Sequence, residues 1–236
     1  MYRRLILIVS LTLSPVVSAQ VFDAILDANF DDKPLGQSIG AGGAALGEPD
    51  DVGGDRISTE VVNALSDRAL RLERRVTEST AAASVRFQFL DNQEVNSGRL
   101  RISTVFEPGQ LGNFAFRTRE AGGSATRWID LEFDSNGNLR RQVRNEAAAI
   151  IGSYAAATPM LLSLEADFDH APGEGFYEIR VNGALLDSGP FPIVARGVGR
   201  ILFSFLSGDA NFGRFFTVDD VRAEVPSPII FRDRFQ

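Results

Sequence analysis

The chain has 236 residues, with 24 basic and 31 acidic side chains, one histidine and a net charge of −7. Apolar residues make up 44% of it, 18 of them phenylalanine, so a sizeable core is available to one large or two small domains. Cysteine is absent, which excludes disulfides and thiolate metal sites, and the lone His170 excludes a zinc-protease motif. The acidic balance argues against nucleic acid and anionic membranes, and suits solubility outside the cytoplasm and cation binding.

Residues 1–19 have the pattern of a secretory signal peptide. Arg3 and Arg4 provide the charged start, Leu5 to Leu13 the apolar run, and Val17-Ser18-Ala19 the small residues before a cleavage site at Gln20. The run is shorter than the roughly 20 residues that span a bilayer, and Pro15 interrupts its end. The expected product is therefore secreted or periplasmic, with no membrane span after cleavage. Losing Arg3 and Arg4 leaves 22 basic against 31 acidic residues, a net charge of −9.

Alternation then dominates. Phe22, Ala24, Leu26, Ala28 and Phe30 share one face of a predicted first strand, with Asp23, Asp27 and Asn29 on the other and Asp31 next. Residues 36–55 are a Gly-rich surface excursion. Short alternating segments follow around Leu70, Val85-Phe87-Phe89, Leu100-Ile102, Phe114-Phe116 and Ile129-Leu131-Phe133. Asn136-Gly137 and Asn182-Gly183 mark tight hairpins. The Ala-rich stretch 145–159 fits a helical turn or a strand equally well. Leu162 to Phe168, Tyr177 to Val181 and Ile201 to Phe205 continue the alternation toward a closing strand, Phe215 to Val225.

In that closing strand Phe216 and Val218 set one phase, and Val221, Ala223 and Val225 set another. Side chains alternate with period two, so the slip at Asp219-Asp220 predicts a β-bulge there. About a dozen strands at spacings near ten residues predict an all-β antiparallel β-sandwich over 20–225, with Pro226 and Pro228 opening a short tail over 226–236.

The stretch Leu162 to Val225, with its strand, turn, Asn182-Gly183 and return strand, resembles the second half of concanavalin A-like (laminin G-like) jelly rolls. Val218-Asp219-Asp220-Val221 also resembles the closing strand of jelly-roll carbohydrate-binding modules, some of which hold calcium between first and last strands. Phe30-Asp31 matches the acid that follows the first strand in those modules. The resemblance implies a jelly-roll fold, a glycan partner and a structural calcium held by Asp31 and Asp220, with Asp27, Asn29 and Asp219 as further candidates. Calcium takes about 6–8 oxygen ligands, so two strands must contribute. Solvated charges that blunt a sheet edge explain the same acids equally well.

Three further groups carry candidate chemistry. Trp128, the only tryptophan, is expected opposite Ile129, beside Asp130 and Glu132 and near Arg117 and Arg101; an exposed ring flanked by hydrogen-bonding groups is a sugar platform. Glu165, Asp167 and Asp169 share a strand face, loosely like the acidic strand of jelly-roll glucanases, although a solvated face accounts for them better. Gly36-Gln37-Ser38-Ile39-Gly40 matches a nucleophile elbow by letters only, since that elbow needs a parallel sheet and a following helix. The expectation is an exported, non-catalytic, glycan-binding module stabilised by calcium. A structural or adhesive protein ranks second, and a degenerate polysaccharide hydrolase or lyase third.

Overall fold

The computed structural model describes residues 20–39, 49, 56–65, 67–75, 83–121, 127–193, 196–206 and 213–227. The expected signal peptide, most of the Gly-rich loop and the tail beyond Ser227 lie outside the described residues. Strands are numbered along the chain. One antiparallel sheet runs in the order β12 (Ala184–Pro192), β11 (Glu174–Val181), β10 (Met160–Ala171), β5 (Arg99–Pro108), β14 (Phe215–Pro226), β3 (Asp67–Arg74) and β2 (Ile57–Ala64). Its eighth strand, β1 (Phe22–Ala28), also pairs with β14. The six-stranded sheet runs β4 (Ala83–Gln88), β13 (Arg200–Phe205), β6 (Phe114–Arg119), β7 (Arg127–Phe133), β8 (Asn138–Val143) and β9 (Ala149–Ser153). Two antiparallel sheets, joined in one place by a 3₁₀ turn at Leu90–Asn92, make this the all-β sandwich that the alternation predicts.

The inner faces meet through phenylalanine. Phe106 on β5 stacks on Phe133 of β7 at 4.6 Å, and Phe216 of β14 lies 5.2 Å from both Phe106 and Phe114. Each such pair contributes about 0.5–1.5 kcal/mol beyond the area it buries. Polar groups also cross the sandwich. Arg141 of β8 donates from Nε to Asp187 of β12 at 2.9 Å, and the Tyr177 hydroxyl donates to the same carboxylate.

Hairpin turns sit where the sequence puts them. Asn182 and Gly183 both take positive φ, 51° and 82°, as a two-residue turn matched to strand twist requires. Gly137, at φ 80°, closes the β7–β8 turn under the Asp134 carboxylate, which accepts N–H groups of Asn136 and Asn138. The undecided Ala-rich stretch contains an edge strand, β9.

The phase slip at Asp219-Asp220 has a topological cause. Residues Phe215–Val218 of β14 pair with β3, whereas Val221–Pro226 pair with β1. Along the other side β5 pairs throughout, and its register shifts between Asp219 and Arg222. Asp220 takes φ 47°, the left-handed conformation of the extra residue. The bulge therefore lies at the seam where two short strands share one side of β14.

Two other bulges correct the expected phases. A shift between Ala24 and Leu26 buries both Ile25 and Leu26, so Phe22 leaves the expected inner face and lies against the Arg101 guanidinium at 3.8 Å. The second, in β7, moves Trp128.

Candidate functional site

Trp128 is 1% exposed, inside the sandwich, and not on the surface where alternation places it. Between Arg117 and Arg119 the β6–β7 register shifts, so Trp128 and Ile129 together oppose Thr118. The Thr118 hydroxyl accepts the Ile129 N–H at 3.0 Å and donates to its carbonyl at 2.8 Å, which holds the bulge. Trp128 then packs edge-on against Phe168 and Phe191, 5.5 and 5.8 Å away. Gly175 permits this packing, because a Cβ there would stand 2.3 Å from the Phe191 ring. Trp128 is a core residue here, and the expected sugar platform is not at this position.

Asp130, Glu132 and Arg117 do share the outer face of the six-stranded sheet. Asp130 is fully buried there and takes three arginines: Arg119 in a two-point pair, Arg127 at 3.0 Å and Arg117 at 3.6 Å. Burial pushes the Arg117 guanidinium below its ordinary range; Asp130 works against this, while Arg119 and Arg127 add to it. Register brings further cations alongside. Arg86 lies two strands from Arg117 across Leu202, Arg200 is directly opposite Arg119, and Arg140 is opposite Glu132.

The outer face of the eight-stranded sheet carries Glu165, Asp167 and Asp169. Glu165 is opposite Arg101 and Asp167 opposite Arg99, with ion pairs of 3.1 and 3.4 Å. Asp169 accepts the Gly98 N–H at 2.9 Å, while its own N–H is donated to Asp167. Each acid is thus held by a neighbouring cation or amide. Beside them lies a cleft of about 250 Å³ lined by Arg99, Glu165, Asp167, His170, Phe176 and Glu178. His170 is exposed and lies over the half-buried Phe176, ring centres 4.9 Å apart. Sequence reasoning missed this aromatic pair, although Phe176 stands out of phase with the inward Tyr177.

The calcium candidates gather at the seam of β14. Asn29 donates to Asp220 at 3.2 Å and accepts the Asp31 N–H at 2.8 Å. The Asp31 carboxylate accepts the Arg68 N–H, and the Arg68 guanidinium caps the Asp31 and Lys33 carbonyls. Asp27 instead sits opposite Arg222. Asp219 is buried, and that burial pushes its carboxyl up to about 6; its bond from the Asp220 N–H opposes the rise, while Asp220, Asp31 and Asp67 reinforce it. The acids are close enough to repel one another, but among the described residues no three of them converge as metal ligands.

Gly36 and Gln37 pair with Val61 of β2, as an added edge segment and not as a strand-to-helix turn; Gly40 lies outside the described residues.

No protein-family model matches the sequence. No curated protein matches it either. Solved structures match by shape. A carbohydrate esterase from the Shiga toxin-encoding bacteriophage phi24B aligns at TM-score 0.52 and 13% identity, over 88% of this chain and 100% of that one. The receptor-binding domain of a botulinum neurotoxin C/D mosaic aligns at 0.53 and 9% identity, over 85% of this chain and 47% of that one. A sialidase aligns at 0.51 and 15% identity over 72% of this chain; the chain spans only 16% of that sialidase's length. At such identities the likeness is one of fold, an antiparallel β-sandwich.

Proposed function

We propose that this chain is an exported recognition module that binds a glycan without cleaving it. The observation that carries the reading is the Phe176–His170 pair in the cleft of the eight-stranded sheet. An aromatic face gives the apolar side of a sugar ring a platform, and Glu165, Asp167, Glu178 and Arg99 offer charged partners for its hydroxyls. Similarity of shape to proteins described as a carbohydrate esterase, a sialidase and a receptor-binding domain supports a recognition role. Hydrolysis is not part of the reading. A retaining glycosidase needs one carboxyl as nucleophile and another as proton donor, about 5–5.5 Å apart, whereas here Glu165 and Asp167 are each matched to an arginine.

A glycan array tests this directly. The wild-type protein is expected to retain a defined set of glycans, and Phe176→Ala to lose them with an unchanged melting temperature. A Phe176→Ala variant that binds as well as wild type would remove the cleft from consideration.

Calcium belongs to the same reading. Asp31, Asp219 and Asp220, with Asn29, would supply its oxygen ligands after side-chain rotation, and the ion would relieve their mutual repulsion. Melting the protein in calcium and then in chelator is the check: a site raises the transition temperature with calcium, and identical curves would leave the acids as seam charges. Export is checked by sequencing the mature N-terminus, expected at Gln20.

A further inference from the structure

We propose that the outer face of the six-stranded sheet binds an anionic polysaccharide, one bearing carboxylate or sulfate groups along its chain. This is independent of the cleft at Phe176. The face gathers Arg86, Arg200, Arg117, Arg119, Arg127 and Arg140 from five consecutive strands, against Asp130 and Glu132 as its acids within those strands. Arg144 follows directly after β8, in the phase of Arg140.

The whole chain is acidic, so this surplus is a segregation of charge and not a reflection of composition. Asp130 is already shared by three guanidinium groups, which leaves positive charge uncompensated in a partly buried setting. Among the described residues, Arg140 Nε and Arg144 Nη1 are buried with no hydrogen-bond partner, although Arg140 pairs through its Nη2 with Asp134 at 3.1 Å. Donors left in that state are suited to an incoming anion, and planar guanidinium groups take carboxylates or sulfates at two points. Of the acids beyond the strands, Asp134 takes Arg140 at 3.1 Å, and Glu94 and Glu120 are engaged by Arg196.

Dimensions and chemistry favour a glycan. Neighbouring strands stand about 4.8 Å apart, so β4 to β8 spans roughly 19 Å, a track for several sugar units. Gln142 and Leu202 lie among the arginines, giving hydroxyl partners and an apolar patch. With Trp128 turned inward, the face has, among the described residues, no aromatic platform on which single-stranded nucleic acid could stack. A long duplex would meet the repulsion of the rest of an acidic protein.

The test is titration calorimetry of the full mature chain with a uronic-acid oligosaccharide, its carboxyl-reduced neutral counterpart and a sulfated oligosaccharide of similar length. Binding of either anionic sugar but not the neutral one is expected, with affinity falling as salt rises. Arg140→Gln combined with Arg144→Gln should weaken it about tenfold or more, with Arg127→Gln as an independent variant on another strand. Phe176→Ala should leave it unchanged, which separates this surface from the cleft. Failure of both anionic sugars to bind, equal binding of the neutral sugar, full affinity in the arginine variants, or tighter binding of duplex DNA or polyglutamate would each overturn the proposal.

Discussion

The outer faces of the two sheets are built from the same residue types and behave differently. On the eight-stranded sheet, arginines and acids match one to one: Arg99 with Asp167, Arg101 with Glu165, Arg180 with Glu178, Arg222 with Glu224. On the six-stranded sheet one buried carboxylate serves three arginines. Matched, solvated pairs leave little net field, so recognition there must come from shape and from the Phe176–His170 platform. Surplus charge around a dry centre leaves a field. Net charge, which averages over both faces, hides this division.

The largest expected effect tests the dry centre. Asp130→Asn keeps the shape but leaves Arg117, Arg119 and Arg127 without their common anion. Removing one partner of a buried ion pair typically costs 3–5 kcal/mol. For a domain of this size that lowers the melting temperature by about 10 °C. A variant that melts with the wild type would show these arginines to be adequately solvated, and the contrast between the two faces would collapse.

The seam of β14 should show a smaller, pH-dependent effect. With a folded-state pKa of about 6 against an ordinary value of 3.8, Asp219 binds more protons folded than unfolded between those two pH values. Its charge therefore lowers stability at pH 7, and the penalty is relieved as pH falls from about 6 toward 4. Asp219→Asn retains an acceptor for the Asp220 N–H without the charge. In chelator it is expected to gain on the order of 2 kcal/mol at pH 7 and to lose that advantage near pH 4. Thermal melts at the two pH values decide it: an equal difference at both would mean that Asp219 titrates normally.

Which features were legible in the sequence follows from how local their causes are. The Asn136-Gly137 and Asn182-Gly183 turns depend on backbone freedom written into two adjacent residues, and both were readable. The bulge at Asp219-Asp220 was readable because its phase slip appears within β14 itself. The bulge at Trp128 was not. Trp128 to Phe133 alternates without a slip on paper, and the extra residue is fixed by the Thr118 hydroxyl on another strand. The arginine surplus was invisible for the same reason, since Arg86, Arg117, Arg140 and Arg200 become neighbours only through sheet register. First and last strands do pair, which sets Asn29 beside Asp220 at the seam.

The smallest effect completes the contrast. Glu165→Gln removes one member of the pair with Arg101, whose two side chains are each 41% exposed. Exposed pairs contribute about 0–1 kcal/mol, because water solvates the remaining charge. Arg101 also keeps its contact with the Phe22 ring, so it retains a partner after the substitution. The melting temperature should shift by less than about 3 °C, well under the change at Asp130. A loss as large as that of Asp130→Asn would mean that the Glu165 pair is as dry as the Asp130 centre, and the cleft beside it would then have to be read as an electrostatic site and not as an aromatic platform.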